Sequence, residues 1–155
     1  MKWDDFKREA PALAELGEKR FDSTGLILLG TLRRNGFPRI SPIEPLFCDG
    51  ELELGMIWRS PKALDLLRDP RCVLHSTVTD RDGKEGDFKA YGRAVELKDL
   101  DARRRYCEGL FAKIGWRPQE PSFHVFTIDL ESVGYIIFED GGKSRRQTWP
   151  PEGAR

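Results

Sequence analysis

The segment Trp58-Arg59-Ser60-Pro61-Lys62 holds the densest set of groups in this sequence that could do chemistry. Ser60 is a residue type that caps helices, and Pro61 suits a first helical position, where its missing N–H costs nothing. Ala63-Leu64-Asp65-Leu66-Leu67 then continues the helix. The free N–H groups and the dipole at such a helix start attract anions, and Arg59 and Lys62 bracket it with positive charge. Two cations there add on the order of 1–2 kcal/mol to anion binding when partly shielded. That positions a phosphate without holding it unaided. Taken alone, the same segment is also an ordinary helix cap.

Arg39 and Ser41 lie two apart on an upstream strand and therefore share a face. They form either a solvated strand edge or further donors toward the same phosphate or a ring carbonyl. Lys89 stands on a later strand that presents it either to the site or to water. Trp58 and Trp149 are able to stack on a planar ring, although tryptophans of a small barrel more often pack in the core or at an interface.

Other candidate groups do not assemble into a reacting set. His75 and Ser76 are strand neighbours that point to opposite faces, and no G-x-S-x-G elbow is present, which excludes a serine hydrolase. His124 shares a face with Phe126, Ile128 and Leu130 and reads as a hydrogen-bonded core histidine. Two histidines with scattered acids make no metal site. Asp80/Asp82 and Asp99/Asp101 read as loop charges and caps, and Cys48, Cys72 and Cys107 as buried thiols. No catalytic residue is assigned. If the chain catalyses a reaction, a cofactor carries the reactive chemistry.

Composition narrows the partners. Twenty-six basic and twenty-six acidic side chains cancel, so the overall attraction expected of a nucleic-acid binder is missing. No apolar run reaches the roughly 18 residues of a membrane span. The N-terminus has neither a basic region nor an apolar stretch of the secretory kind. An odd set of three widely spaced cysteines points to a reducing compartment, with the cytoplasm as the expected location.

Positioning these groups falls to a strand-rich chain of 155 residues, read as one domain. Residues 3–16 have helical spacing (Phe6, Ala10, Leu13, Leu16), with Gly17 as a stop and Pro11 as an interruption that allows two short turns. Asn35-Gly36 and Asp49-Gly50 are type I′ hairpin signals that delimit strands over about 25–34, 37–48 and 51–58. Pro42 and Pro45 place part of the second strand at an edge or bulge. The helix after Ser60 ends at Asp69, before Pro70. Strands follow over about 72–78 and 88–97, then a helix over 99–114 begun by Asp99 or Asp101. A long strand pair over 123–138 breaks near Glu131-Ser132, and a last segment ends at Trp149. Six strands with three or so helices in the connections predict a mainly β (α+β) fold, an antiparallel Greek-key barrel.

Three stretches resemble the pyridoxamine 5′-phosphate oxidase-like family of FMN-binding split β-barrels. They are Gly30-Thr31-Leu32-Arg33-Arg34-Asn35-Gly36-Phe37-Pro38-Arg39, Ser60-Pro61-Lys62 with Leu66 to Arg71, and Tyr91-Gly92-Arg93-Ala94-Val95. The resemblance covers about residues 25–138. It implies a homodimer with flavin in the groove between subunits. It also implies that Ser60 and Lys62 hold the FMN phosphate and that Arg39 and Ser41 approach the ribityl chain or ring. The backbone of Met56, Ile57 and Trp58 then runs beside the isoalloxazine, and Trp149 comes near from the C-terminal segment of one chain or its partner. The sequence departs from the true oxidase by lacking a histidine after His124 and by having Pro61 in place of a basic residue beside Lys62. The expectation is therefore an FMN-dependent oxidoreductase moving hydride to or from an unknown small organic substrate, and not a vitamin B6 oxidase. The alternatives are an F420-dependent reductase of the same barrel, using Arg59, Lys62 and Arg39 for a polyanionic tail, or a flavin- or haem-binding module without turnover.

Overall fold

The computed structural model describes residues 1–151, and these form eight strands and four helices. They are α1 (Trp3–Glu9), α2 (Pro11–Asp22), β1 (Ile27–Leu32), β2 (Pro38–Ile43), β3 (Pro45–Cys48) and β4 (Glu51–Ile57), then α3 (Pro61–Arg68), β5 (Arg71–Ser76), β6 (Asp87–Glu96), α4 (Leu100–Ile114), β7 (Phe123–Phe138) and β8 (Ser144–Trp149). One antiparallel sheet runs β2-β1-β5-β6-β7-β4-β3, with β8 paired to the far half of β7. β2 and β3 are consecutive in the chain yet occupy opposite edges of that sheet. Only Glu44 separates them, so the sheet must curl until β2 meets β4.

The prolines decide where this break falls. Pro42 and Pro45 lack the N–H that a central strand needs, and both end on sheet edges, as their sequence positions predict. Splitting the expected second strand in two, together with β8, gives eight strands rather than six.

Inside the curl Leu29, Leu52, Leu54, Leu74 and Phe88 are completely buried. Trp3, Phe6 and Phe21 from the N-terminal helices close one mouth, with Phe21 edge-on to Phe88 at 5.2 Å. A second, smaller core lies on the outer face of β3, β4 and β7 beneath α4, formed by Leu46, Tyr106, Leu110, Phe123 and Val125. β4 is therefore covered on both faces, and Glu53, on the polar half of its alternation, is only 3% exposed.

Local signals hold with three corrections. Gly17 does not end the N-terminal helix: Pro11 begins α2, which runs through Gly17 to Asp22. A Cβ at Gly17 would come within 2.5 Å of the Phe88 ring, so this glycine serves close packing. At Asp49-Gly50 both residues have positive φ, as a type I′ turn requires, but at the first hairpin only Gly36 does. There the Gly36 N–H bonds to the Arg33 carbonyl and the Arg33 N–H to that of Phe37, a tight turn closed by a left-handed glycine. The expected break at Glu131-Ser132 is a bulge within one continuous strand, because Tyr91 pairs with Ser132 and Gly92 with Leu130. α4 is capped as expected, the Asp99 carboxylate accepting from the Ala102 N–H at 2.8 Å. Only Cys72 is buried; Cys48 and Cys107 are half-buried beside the second core.

Candidate functional site

β4 passes into α3 through a sharp turn. The Ser60 N–H bonds to the Ile57 carbonyl at 3.0 Å, and Arg59 takes a left-handed φ of 53°. Ser60 itself is extended, as a residue before proline should be, and its carbonyl receives the first helical bond from Leu64. Its hydroxyl does not cap the helix, against the expectation from residue type. Instead Ser60 Oγ is buried without a hydrogen-bond partner. Ala63 and Leu66 seat the helix on the barrel.

Lys62, on the first turn, is half-buried and donates to the Pro42 carbonyl at 2.9 Å. Burial lowers its pKa from the ordinary lysine value, and no carboxylate stands close enough to offset that. Arg59 is exposed and has no ion-pair partner among the described residues. An ammonium without a counter-charge and an unpartnered hydroxyl thus stand two residues apart at the start of α3, where helical N–H groups are free.

Arg39 and Ser41 share a face of β2, as their spacing predicts. Arg39 Nε donates to Asp65 Oδ2 at 2.7 Å, an oxygen that also accepts from the Thr31 hydroxyl at 3.0 Å. Arg68 reaches the other Asp65 oxygen at 3.4 Å and also bonds the Leu32 carbonyl. Burial by itself would raise the Asp65 pKa. The hydrogen bonds from Arg39 and Thr31, helped by Arg68, outweigh it and hold the carboxyl below its usual value. The network fixes two guanidinium groups at the edge of an open cleft of about 460 Å³ whose wall also carries Arg33 and Arg34.

At the other end of β2, Met56 and Ile57 border a separate cleft of about 420 Å³ between β4, α4 and the segment leading to β7. Met56 is buried, whereas Ile57 and Trp58 are exposed. The Trp58 indole lies parallel to the His124 ring at 4.3 Å. His124 Nδ1 pairs with Glu96 at 2.8 Å while its Nε2 is buried without a partner. His124 is thus a core histidine, as its strand face implies.

Lys89 and Trp149 meet in a third cleft, of about 450 Å³, between β6, β7 and β8. Lys89 pairs with Asp87. Trp149 sits edge-on to Phe6 at 5.2 Å and donates its indole N–H to Glu9 at 3.1 Å. Pro42, Leu28, His75 and Lys89 stand in one row across β2, β1, β5 and β6. At about 4.8 Å per strand, that row separates Pro42 from Lys89 by about 14 Å. Within one chain the expected site residues therefore fall in three places: Arg39 and Ser41 on β2 with Arg59, Ser60 and Lys62 at the start of α3; Met56 and Ile57 at the cleft beneath α4, with Trp58 stacked on His124; and Lys89 and Trp149 in the third cleft.

Sequence reading missed Asp65, Thr31 and Arg68. The charges at positions 65 and 68 stand one helical turn apart, which is visible in the sequence, but only the fold buries Asp65 against β1 and β2.

No family model matches this chain, and no curated protein matches its sequence. Solved structures do. The haem-binding protein from Mycobacterium smegmatis superposes with a TM-score of 0.65 at 19% identity over 89% of this chain. The chain spans 58% of that protein's length. A protein related to general stress protein 26, of the pyridoxinephosphate oxidase family, from Clostridium acetobutylicum gives 0.65 at 18% identity, covering 89% of this chain and 94% of its own. A candidate pyridoxamine 5′-phosphate oxidase from Listeria innocua gives 0.63 at 18%, covering 77% and 94%. Curled antiparallel sheet, α3 after β4 and shared superposition agree: the chain has the fold of the pyridoxamine 5′-phosphate oxidase-like split barrels.

Proposed function

We propose that the protein is an FMN-dependent oxidoreductase acting as a homodimer on a small organic substrate. The observation that carries this reading is the pair at the start of α3, where the Lys62 ammonium lacks a counter-charge and the Ser60 hydroxyl lacks a partner. A phosphate there accepts from both and from free helical N–H groups, which answers an orphaned donor and an unpaired charge at once. Arg39 is held ready on Asp65, and Ser41 stands beside it. When bound, FMN supplies hydride acceptance and donation. The chain's own residues anchor the phosphate, present the Met56–Trp58 backbone beside the ring and restrict water there; none of them acts as acid or base.

The dimer is part of the proposal. Ile40, Gly30, Val73 and Tyr91 form a row across the outer face of β2, β1, β5 and β6, with Leu28 and Val95 exposed beside it. An apolar strip of this kind, bordered by His75 and Lys89 on one side and by Arg71 and Arg93 on the other, favours a protein partner. Pairing two such faces offers a route for Lys89 and Trp149 of one protomer to approach flavin held by the other.

Titration with FMN, followed by flavin fluorescence, tests the reading. Lys62→Ala should weaken binding roughly tenfold to a hundredfold, the effect expected of a lost charge-assisted bond. Equal affinity in the variant overturns the phosphate site, and an absence of FMN binding by the wild type overturns the cofactor. Sedimentation velocity tests the dimer. The arginine cleft beside Arg39 favours one second reading, the deazaflavin F420 with its polyanionic tail drawn toward Arg33, Arg34 and Arg68. A single deazaflavin absorption band, in place of paired flavin bands, supports it, and a Soret band would indicate haem.

A further inference from the structure

The cleft between β4 and α4 has walls of a different character from the arginine-lined one. Tyr106, Leu110 and Phe123 form its floor, each 3% exposed, and Met56 lies beside them. Ile57 and Trp116 stand exposed at its rim, at 79% and 59%. The polar points are the Glu44 carboxylate, the Gln119 amide, Ser122 and the Tyr106 hydroxyl. No lysine, arginine or histidine lines it.

Arg59, two residues beyond Ile57, is exposed and does not line the cleft, and the cations on the α4 side are engaged. Lys113 donates to Asp22 and to the Pro45 carbonyl. Arg103 is held by Glu120 and the Phe123 carbonyl, and Arg117 lies over the Phe111 ring. Glu44, exposed in the gap between β2 and β3, has no ion-pair partner among the described residues. The absence of a side chain at Gly55 is what lets Tyr106 close the floor, since a Cβ there would fall 2.0 Å from its hydroxyl oxygen.

We propose that this cleft is the substrate pocket and that it takes a flat, apolar molecule that is neutral or positively charged, rejecting phosphorylated and carboxylated ones. Its size lies within the range of small-molecule sites, and its make-up, apolar walls with a few placed polar groups, is theirs as well. Trp116, exposed at the rim, offers an aromatic face to a planar ring, while the Phe123 ring beneath is already covered by the Arg103 guanidinium at 4.3 Å. An anion entering would shed water, find only neutral donors and face Glu44; a cation also sheds water but gains Glu44 as a counter-charge, and a neutral molecule bears neither cost. Arg39 and Glu44 lie five residues apart along the β2 segment, about 16 Å, so the basic and the acidic ends are physically separate. The word "substrate" rests on the flavin reading, through Met56 and Ile57; the ligand class rests on the walls alone.

Three probes sharing one ring system separate the charge classes: 2-naphthylmethylamine, 2-naphthylmethanol and 2-naphthoate. Each is titrated calorimetrically into the full chain, with and without FMN. The amine should bind most tightly and the naphthoate most weakly. Each step in the order should amount to about two- to fivefold, the scale of one partly exposed charge. Glu44→Lys, at an exposed position where folding is safe, should reverse the order of the two charged probes. Trp116→Ala should weaken all three. Naphthoate binding as tightly as the amine, an order unchanged in Glu44→Lys, or no binding by any probe overturns the proposal. The expected order in protein that binds no FMN upholds the ligand class and overturns only the flavin reading.

Discussion

Glu53→Gln should abolish a loss of stability that the wild-type protein suffers as pH rises from 5 to 8. Glu53 lies on β4 beneath α4, 3% exposed, with Oε2 lacking any partner. Burial pushes its pKa from 4.5 up to about 7, the negative charges of Asp49 and Glu51 add to that, and Arg105 offsets a little. The carboxyl is thus neutral in the folded protein at pH 5 and must ionise by pH 8. The folded state binds the proton more tightly than the unfolded chain, so stability is full below about 4.5 and declines through about 7. At about 1.4 kcal/mol for each tenfold difference in proton affinity, that gap comes to about 3 kcal/mol. Urea unfolding at pH 5 and pH 8 measures it. With a denaturant slope of roughly 2 kcal/mol/M, the wild-type midpoint should fall by about 1.5 M more than that of the glutamine variant. The variant should match wild type at pH 5 and exceed it at pH 8. If both proteins lose the same stability over this interval, Glu53 ionises freely in the fold and the reasoning is wrong.

Two further outcomes follow from close packing and buried charge. Gly55→Ala should destabilise by about 1–3 kcal/mol, because the added methyl drives Tyr106 and α4 off β4. It should also weaken all three naphthyl probes, and unfolding together with calorimetry checks both effects. Asp65→Asn should cost about 2–4 kcal/mol in urea unfolding by leaving Arg39 and Arg68 without their shared carboxylate, and an unchanged midpoint would show that the network is ornamental.

Most of the fold was legible because the chain marks its turns with residues that have few alternatives. Asp49-Gly50 requires two positive φ values and has them, and Pro70 stops α3 one residue after Asp69. Pro42 and Pro45 argue for an edge or a bulge over 37–48, and the structure puts the two halves of that stretch at opposite edges of the sheet. At Gly17 and at Glu53 a tertiary contact overrides a local preference. Gly17 looks like a stop until Phe88 fills the space above it. Glu53 looks solvent-facing until α4 covers the second face of β4, and no alternation along β4 can announce a helix that begins nearly fifty residues later.

The candidate site divides along the same line. Ser60 and Lys62 were legible because one turn sets them at the start of α3, and Arg39 and Ser41 because strand spacing puts them on one face of β2, although the Ser60 hydroxyl does not cap the helix as its type suggests. Asp65 was not found, since a helical aspartate reads as solvated until β1 and β2 pack upon it. Lys89 and Trp149 were expected at the same ligand, yet the register places Lys89 three strands from Pro42. A ligand that touches Lys62 and Lys89 of a single chain must lie across the outer sheet face, where Ile40, Leu28 and Tyr91 also want covering. The second protomer proposed above would answer both demands if it covered the apolar row and brought its own third cleft toward the first protomer's α3. The dimer and the shared site are therefore one hypothesis. A monomeric protein that still binds FMN through Lys62 would leave Lys89 and Trp149 with no part in the site.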